Sequence, residues 1–120
     1  MVGAAEGHDH NMISQMPSLT STWARESGPN SLQRAGLKHG DLDLTMIYDS
    51  FTYTVMVTLE SLGFCGPGEA ADFVANQRTA PGGDFALNTN GGGLSYTHPG
   101  MYGSFLLVEA VRQMQTHQIP

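Results

Sequence analysis

The stretch Asn88-Thr89-Asn90-Gly91-Gly92-Gly93-Leu94-Ser95-Tyr96-Thr97-His98-Pro99-Gly100-Met101-Tyr102-Gly103 sets three consecutive glycines and one histidine just ahead of an apolar run. Gly91, Gly92 and Gly93 lose too much backbone entropy to sit in regular structure unless the chain must adopt positive φ or approach another group closely. The helix expected to follow, over about residues 101–115, gathers unpaired N–H groups and partial positive charge at its start, so an oxyanion could be held there. His98 could donate a hydrogen bond to a developing enolate oxygen or act as a general base. Alternatively, the glycines form only a tight turn and His98 only caps the helix, because a glycine-rich turn before a helix is a weak signal alone.

Downstream, Phe105, Leu106, Leu107, Val108, Ala110, Val111 and Met114 are apolar nearly all round, which predicts a helix enclosed on most sides. Upstream, Leu42, Leu44, Met46 and Tyr48 alternate with Asp43, Thr45 and Ile47, the period of a strand partly buried on its second face. Its end delivers Tyr48-Asp49-Ser50, the position where ligand sites of α/β sheets commonly lie. Tyr48 could donate a proton, Asp49 could orient a neighbour or cap a helix, and Ser50 could cap or donate a hydrogen bond, capping being the commoner role for the last two. Phe51, Val55, Leu59 and Leu62 then recur at helical spacing, with Gly63 as a stop. Residues 69–76 suggest a second short helix and residues 85–87 a short strand. Residues 6–27 show neither period and read mostly as loop, before a break at Gly28-Pro29-Asn30 and a helix carrying Leu32 and Ala35 to Gly36 or Gly40. The expected fold class is therefore α/β, a layered mixed sheet of few strands with a buried helix.

Composition sets the outer bounds. With 120 residues and 40% hydrophobic content the chain fits a single domain, residues 1–120. A net charge of -6, with 11 acidic against 5 basic residues and no basic cluster, argues against nucleic acid or an anionic membrane as partner. No apolar run is long enough for a membrane span, and one cysteine, Cys65, leaves no intramolecular disulfide; cytoplasmic residence is the expectation. His8-Asp9-His10 lacks a further ligand at metal-site spacing and reads as a solvated loop, so no metal is expected. Met12, Met16, Met46, Met56, Met101 and Met114 read as core or pocket filler.

Several segments together go beyond spacing: Val2-Gly3-Ala4-Ala5-Glu6-Gly7, Ile47-Tyr48-Asp49-Ser50-Phe51-Thr52, Leu62-Gly63-Phe64-Cys65, Leu87 through Ser95, Thr97-His98-Pro99-Gly100 and Glu109-Ala110-Val111-Arg112. The chain resembles the C-terminal half of the thiolase superfamily, particularly the sterol-carrier-protein-type thiolases and the steroid side-chain aldolases. The resemblance implies a thiolase-like half-fold and acyl-CoA chemistry, with a coenzyme A thioester as substrate and no separate cofactor. The family's Gly-His-Pro histidine, which activates the nucleophilic cysteine, falls on His98, with Thr97 in place of the glycine. Its oxyanion-hole motif, Asn-Glu-His-Phe or His-Asp-Cys-Phe, falls on Tyr48, Asp49, Ser50 and Phe51, of which Asp49 and Phe51 match the second form.

Tyrosine at position 48, with Tyr96 beside His98, resembles the aldolase branch, where phenols move protons during retro-aldol cleavage. The resemblance thus assigns His98 and Tyr96 to proton transfer, Tyr48 and Asp49 to orientation or oxyanion stabilisation, and Ser50, Gly91, Gly92 and Gly93 to the surroundings of the thioester. Neither family cysteine is matched, since Cys65 follows a helix and reads as a buried or turn residue, and the family continues past Ile119-Pro120 into another strand. A partial domain truncated at both ends is expected, inactive alone, and requiring either an N-terminal thiolase half or a second copy as partner. The competing class is a noncatalytic module that binds acyl-CoA or lipid or self-associates.

Overall fold

The computed structural model describes residues 1–116. Two compact units divide the chain, Met1–Asp41 with Met56–Phe73, and Leu42–Val55 with Val74 onward.

In the first unit, helix α1 (Ala24–Ala35) begins well before the expected break and carries Pro29 in its interior. Pro29 has no N–H to donate to the carbonyl of Arg25, and both residues lie on the exposed side of the helix. Gly28 packs α1 closely on Leu62: a Cβ there would meet Leu62 Cδ2 at 2.7 Å, so a larger residue would push that leucine side chain aside. Gly36 ends α1 in the left-handed region (φ 70), its N–H donating to Gln33 while Leu37 N–H donates to Leu32. Helix α2 (Thr52–Leu62), whose residues from Met56 belong to this unit, stops at Gly63 as expected, with φ 86, and His39 Nε2 lies 2.7 Å from the terminal carbonyl of Leu62. Helix α3 (Ala70–Val74) meets a carboxylate at its start, where Ala70 N–H donates to Glu60 Oε1 at 3.1 Å.

The second unit holds the extended segments. Thr45 and Leu87 form an isolated parallel bridge, with Thr45 N–H donating to Ala86 and Asn88 N–H to Thr45. Pairing stops there because Asn88 takes φ 47, a left-handed conformation that asparagine tolerates. Its side chain supplies the next rung instead: Oδ1 accepts from Ile47 N–H at 2.8 Å and Nδ2 donates to Ile47 O at 2.9 Å. Among the described residues there is no strand, only this bridge, so the layered sheet is reduced to two extended pieces held in register. The expected alternation is present with its faces exchanged. Thr45, Ile47 and Asp49 are buried, whereas Leu42 and Tyr48 are exposed, because the Asn88 amide and the partners of Asp49 fix the odd-numbered side inward.

Helix α4 (Gly92–Ser95) is a single turn and helix α5 (Gly103–Thr116) follows the turn at Met101, φ 60. The enclosed helix expected from the apolar run is not what the described residues show. Tyr102, Leu106 and Glu109 form the buried stripe, while Leu107, Val108, Val111 and Met114 remain exposed. No described helix is long and apolar enough to cross a membrane.

Candidate functional site

All of the residues that the sequence singled out for chemistry lie in the second unit, and one carboxylate organises them. Asp49 is 5% exposed, and both its oxygens are occupied: Oδ1 accepts from Gly93 N–H at 2.6 Å and Oδ2 from Leu94 N–H at 3.2 Å. Asp49 therefore caps α4, far along the chain, rather than the helix α2 that directly follows it. Gly92 is required by this contact. Gly91 and Gly92 have φ 91 and 67, and a Cβ on Gly92 would strike the Asp49 carboxylate. A Cβ on Gly93 would stand 3.1 Å from His98 Nδ1 and 3.2 Å from Asp49 Oδ1. Their close approach is thus to Asp49 and His98.

The same bonding settles what the glycine turn can offer a ligand. Gly91 N–H donates to Asn88 O, Gly92 to Asn90 Oδ1, Gly93 and Leu94 to Asp49, Ser95 to Gly91 O, and Tyr96 to Gly92 O. Each backbone donor from 91 to 96 has an acceptor within the chain, so the turn positions side chains instead of presenting a row of free N–H groups.

Two side chains meet in front of it. Tyr48 Oη lies 3.4 Å from His98 Nε2, with ring centroids 6.1 Å apart, and both residues are exposed. A phenol and an imidazole at this spacing can share a proton and can both reach a ligand from solvent. Ser50 and Tyr96 stand outside this hydrogen-bonded set. Ser50 Oγ lies 2.9 Å from Thr54 Oγ1 at the start of α2, and Tyr96 is 60% exposed with its N–H closing α4.

Tyr102 was not among the expected site residues. It is buried, tilted against Tyr48 with ring centroids 6.0 Å apart, stacked on Phe105, and its hydroxyl donates to Asn90 Oδ1 at 3.4 Å. Burial pushes its phenol above the ordinary value, opposed by the Asn90 bond and reinforced by the charges of Asp49, Tyr96 and Glu109, so it stays protonated and remains a donor. The signal available in the sequence was its place one helical turn from Leu106, on the stripe continued by Glu109. Glu109 is likewise buried; Thr89 Oγ1 donates to its Oε1 at 2.9 Å and Gln113 Nε2 at 2.7 Å. The Gln113 bond chiefly holds the Glu109 carboxyl below its ordinary range; burial opposes this, while Thr89 and the Arg112 charge assist. It ties the start of the glycine loop to α5.

Cys65 belongs to the first unit, and His10 Nδ1 pairs with Asp9 Oδ1 in the N-terminal segment. Among the described residues no group of three or more His, Cys, Asp or Glu is placed to hold a metal ion.

A family model described as thiolase C-terminal domain-like matches residues 5–119. The chain belongs to this family. It is 43% identical over 84 residues to the 17-hydroxy-3-oxo-4-pregnene-20-carboxyl-CoA lyase of Mycobacterium tuberculosis, covering 68% of this chain and 21% of that protein. It is 37% identical over 123 aligned positions to the steroid side-chain-cleaving aldolase of Thermomonospora curvata, covering 97% of this chain and 31% of that protein. Among solved structures, the Ltp2-ChsH2(DUF35) aldolase superposes with a TM-score of 0.80 at 33% identity, over 92% of this chain and 30% of that one. The chain thus spans between a fifth and a third of the length of these relatives. It is a thiolase C-terminal-like domain related to the steroid side-chain aldolases.

Proposed function

We propose that the chain forms the C-terminal part of a lyase that cleaves a β-hydroxyacyl-CoA by retro-aldol reaction, with Tyr48 and His98 as its proton-handling pair. The observation that carries this reading is the exposed Tyr48–His98 contact at 3.4 Å, in front of a glycine turn whose own N–H groups are already bonded. His98 takes the proton of the β-hydroxyl, the C–O bond becomes a ketone, and the Cα–Cβ bond breaks. Its electron pair passes into the thioester as an enolate, whose oxygen receives a hydrogen bond from Tyr48. The proton returns to Cα, giving a ketone and a shortened acyl-CoA. The balance involves no electron transfer, so coenzyme A enters only as part of the substrate. Such a donor is typically worth about 3 to 4 kcal/mol of transition-state stabilisation.

In this reading Asp49, Gly91, Gly92 and Gly93 position His98 and do not touch the thioester. Ser50 secures the start of α2. Tyr96, exposed beside the pair in sequence, is available to relay the proton to Cα. Tyrosine at position 48 together with the aldolase relatives favours carbon-carbon cleavage over acyl transfer.

The exposed apolar side of α5, with Leu107, Val108, Val111 and Met114, supports a partner that covers it. The remainder of a thiolase-like enzyme is the reading preferred here, and it would also extend the two bridged segments into a sheet. Self-association of a noncatalytic acyl-CoA-binding module is the second reading. The chain combined with a relative's N-terminal half should cleave a β-hydroxyacyl-CoA bearing a tertiary alcohol and leave acetoacetyl-CoA uncleaved by free coenzyme A. Thiolysis of acetoacetyl-CoA would refute the lyase reading, and a stable homodimer that binds acyl-CoA without turnover would favour the second.

A further inference from the structure

We infer that Tyr102 is a positioning residue for this site, joining the ring of Tyr48 to the glycine turn; the inference rests on the lyase reading for its catalytic consequence. Tyr48 is exposed at the end of an extended segment whose backbone is held at Thr45 by the bridge to Leu87 and at Ile47 by the Asn88 amide. An exposed phenol is free to change its side-chain rotamer, and the observed one brings its oxygen to 3.4 Å from His98 Nε2. The Tyr102 ring, itself 2% exposed, stands 6.0 Å from the Tyr48 ring at 53° and forms a fixed wall on one side of it. His98 stands on another, 6.1 Å away.

The Tyr102 side chain is held at its ring and at its hydroxyl. Phe105 stacks on Tyr102 at 5.8 Å and 8°, and the Tyr102 hydroxyl ends on Asn90 Oδ1. That same oxygen accepts Gly92 N–H at 2.9 Å, at the entry to the turn whose next residue, Gly93, donates to Asp49 and has room for a Cβ only at 3.1 Å from His98 Nδ1. One side chain therefore meets the Tyr48 ring directly and, through Asn90, the glycine turn at Gly92. Met101 in the left-handed region, φ 60 and almost wholly exposed, is the turn that sends Tyr102 inward.

Two substitutions separate the ring from the hydroxyl. Tyr102→Phe keeps the wall and removes the bond to Asn90; Tyr102→Leu removes both. With 3-fluorotyrosine incorporated at the four tyrosines of the chain, the fluorine resonance of residue 48, identified by its loss in Tyr48→Phe, should move in Tyr102→Leu. It should stay near its place in Tyr102→Phe, while that of Tyr53 stays put in both. A residue 48 resonance unmoved by Tyr102→Leu would overturn the inference. In the combined lyase, Tyr102→Phe should lower kcat about threefold and Tyr102→Leu about tenfold or more, with KM within about twofold of wild type, as expected for lost alignment rather than lost binding. Wild-type kcat in Tyr102→Phe and Tyr102→Leu would also overturn it. Should Tyr102→Leu fail to fold, the kcat of Tyr102→Phe decides. A wild-type protein with no lyase activity would refute the lyase reading alone, leaving the fluorine result to judge the placement of Tyr102.

Discussion

Replacing Asp49 by alanine removes the group on which the glycine turn is hung. Its carboxylate accepts one short bond from Gly93 N–H, 2.6 Å, and one long bond from Leu94 N–H, 3.2 Å. A hydrogen bond to a charged acceptor contributes about 1.5 to 3 kcal/mol. The Gly93 bond sits at the upper end of that range because Asp49 is buried. Leu94 is half-exposed, and water can replace its partner, so its bond sits below the range. The expected loss is about 3 kcal/mol, and for a chain of this size a fall in Tm of about 10 °C. Asp49→Asn keeps one acceptor oxygen for Gly93 but sets an amide N–H against Leu94 N–H, and should lose about 2 kcal/mol. Thermal unfolding followed by circular dichroism gives the magnitudes, and hydrogen exchange at the Gly93 and Leu94 amides gives the location. An Asp49→Ala protein with wild-type Tm and unchanged protection at Gly93 would refute the claim that this carboxylate holds the turn.

Two further outcomes follow from the hydrogen bonding around it. The Glu109 carboxyl titrates below its ordinary value of 4.5 in the folded chain, so its contribution is complete above that pH and is lost as pH falls through the folded value. Glu109→Gln should therefore lower Tm at pH 7, with the gap to wild type narrowing on acidification towards pH 3; a gap that widens on acidification contradicts the assignment. At Asn88, glycine keeps φ 47 but loses both amide bonds to Ile47, and alanine adds left-handed strain of about 1 kcal/mol, so unfolding should rank wild type, then Asn88→Gly about 2 kcal/mol lower, then Asn88→Ala about 3 kcal/mol lower. Equal stability of wild type and Asn88→Gly would remove the side-chain rung.

Local rules read well wherever the cause was local. The apolar spacing from Phe51 to Leu62 with Gly63 as stop marks α2, and the run after Gly103 marks α5. The Asn88 to Gly103 stretch identified both the family and the histidine that meets Tyr48. Failures came where a distant group decided the outcome. Asp49 looked like a cap for the helix it precedes, and it caps α4 instead because the glycines 44 residues on bring their N–H groups to it. The leucines of the extended segment point to the even-numbered face as the buried one, yet Asn88 and Asp49 turn Thr45 and Ile47 inward. Pro29 signalled a helix start, and the packing of Gly28 on Leu62 carries α1 through it. Tyr102 drew no notice because a tyrosine on an apolar stripe gives no sign in sequence of the asparagine or the second ring it will touch.

The central claim, that Tyr48 and His98 act as one proton-handling pair, is tested most directly by the kcat of Tyr48→Phe in the combined lyase with a tertiary β-hydroxyacyl-CoA. Because the Tyr48 hydroxyl is partly exposed and, among the described residues, meets His98 at a long 3.4 Å, its removal should leave Tm unchanged while kcat falls by about 100-fold or more. A Tyr48→Phe enzyme that releases ketone at the wild-type rate would contradict it.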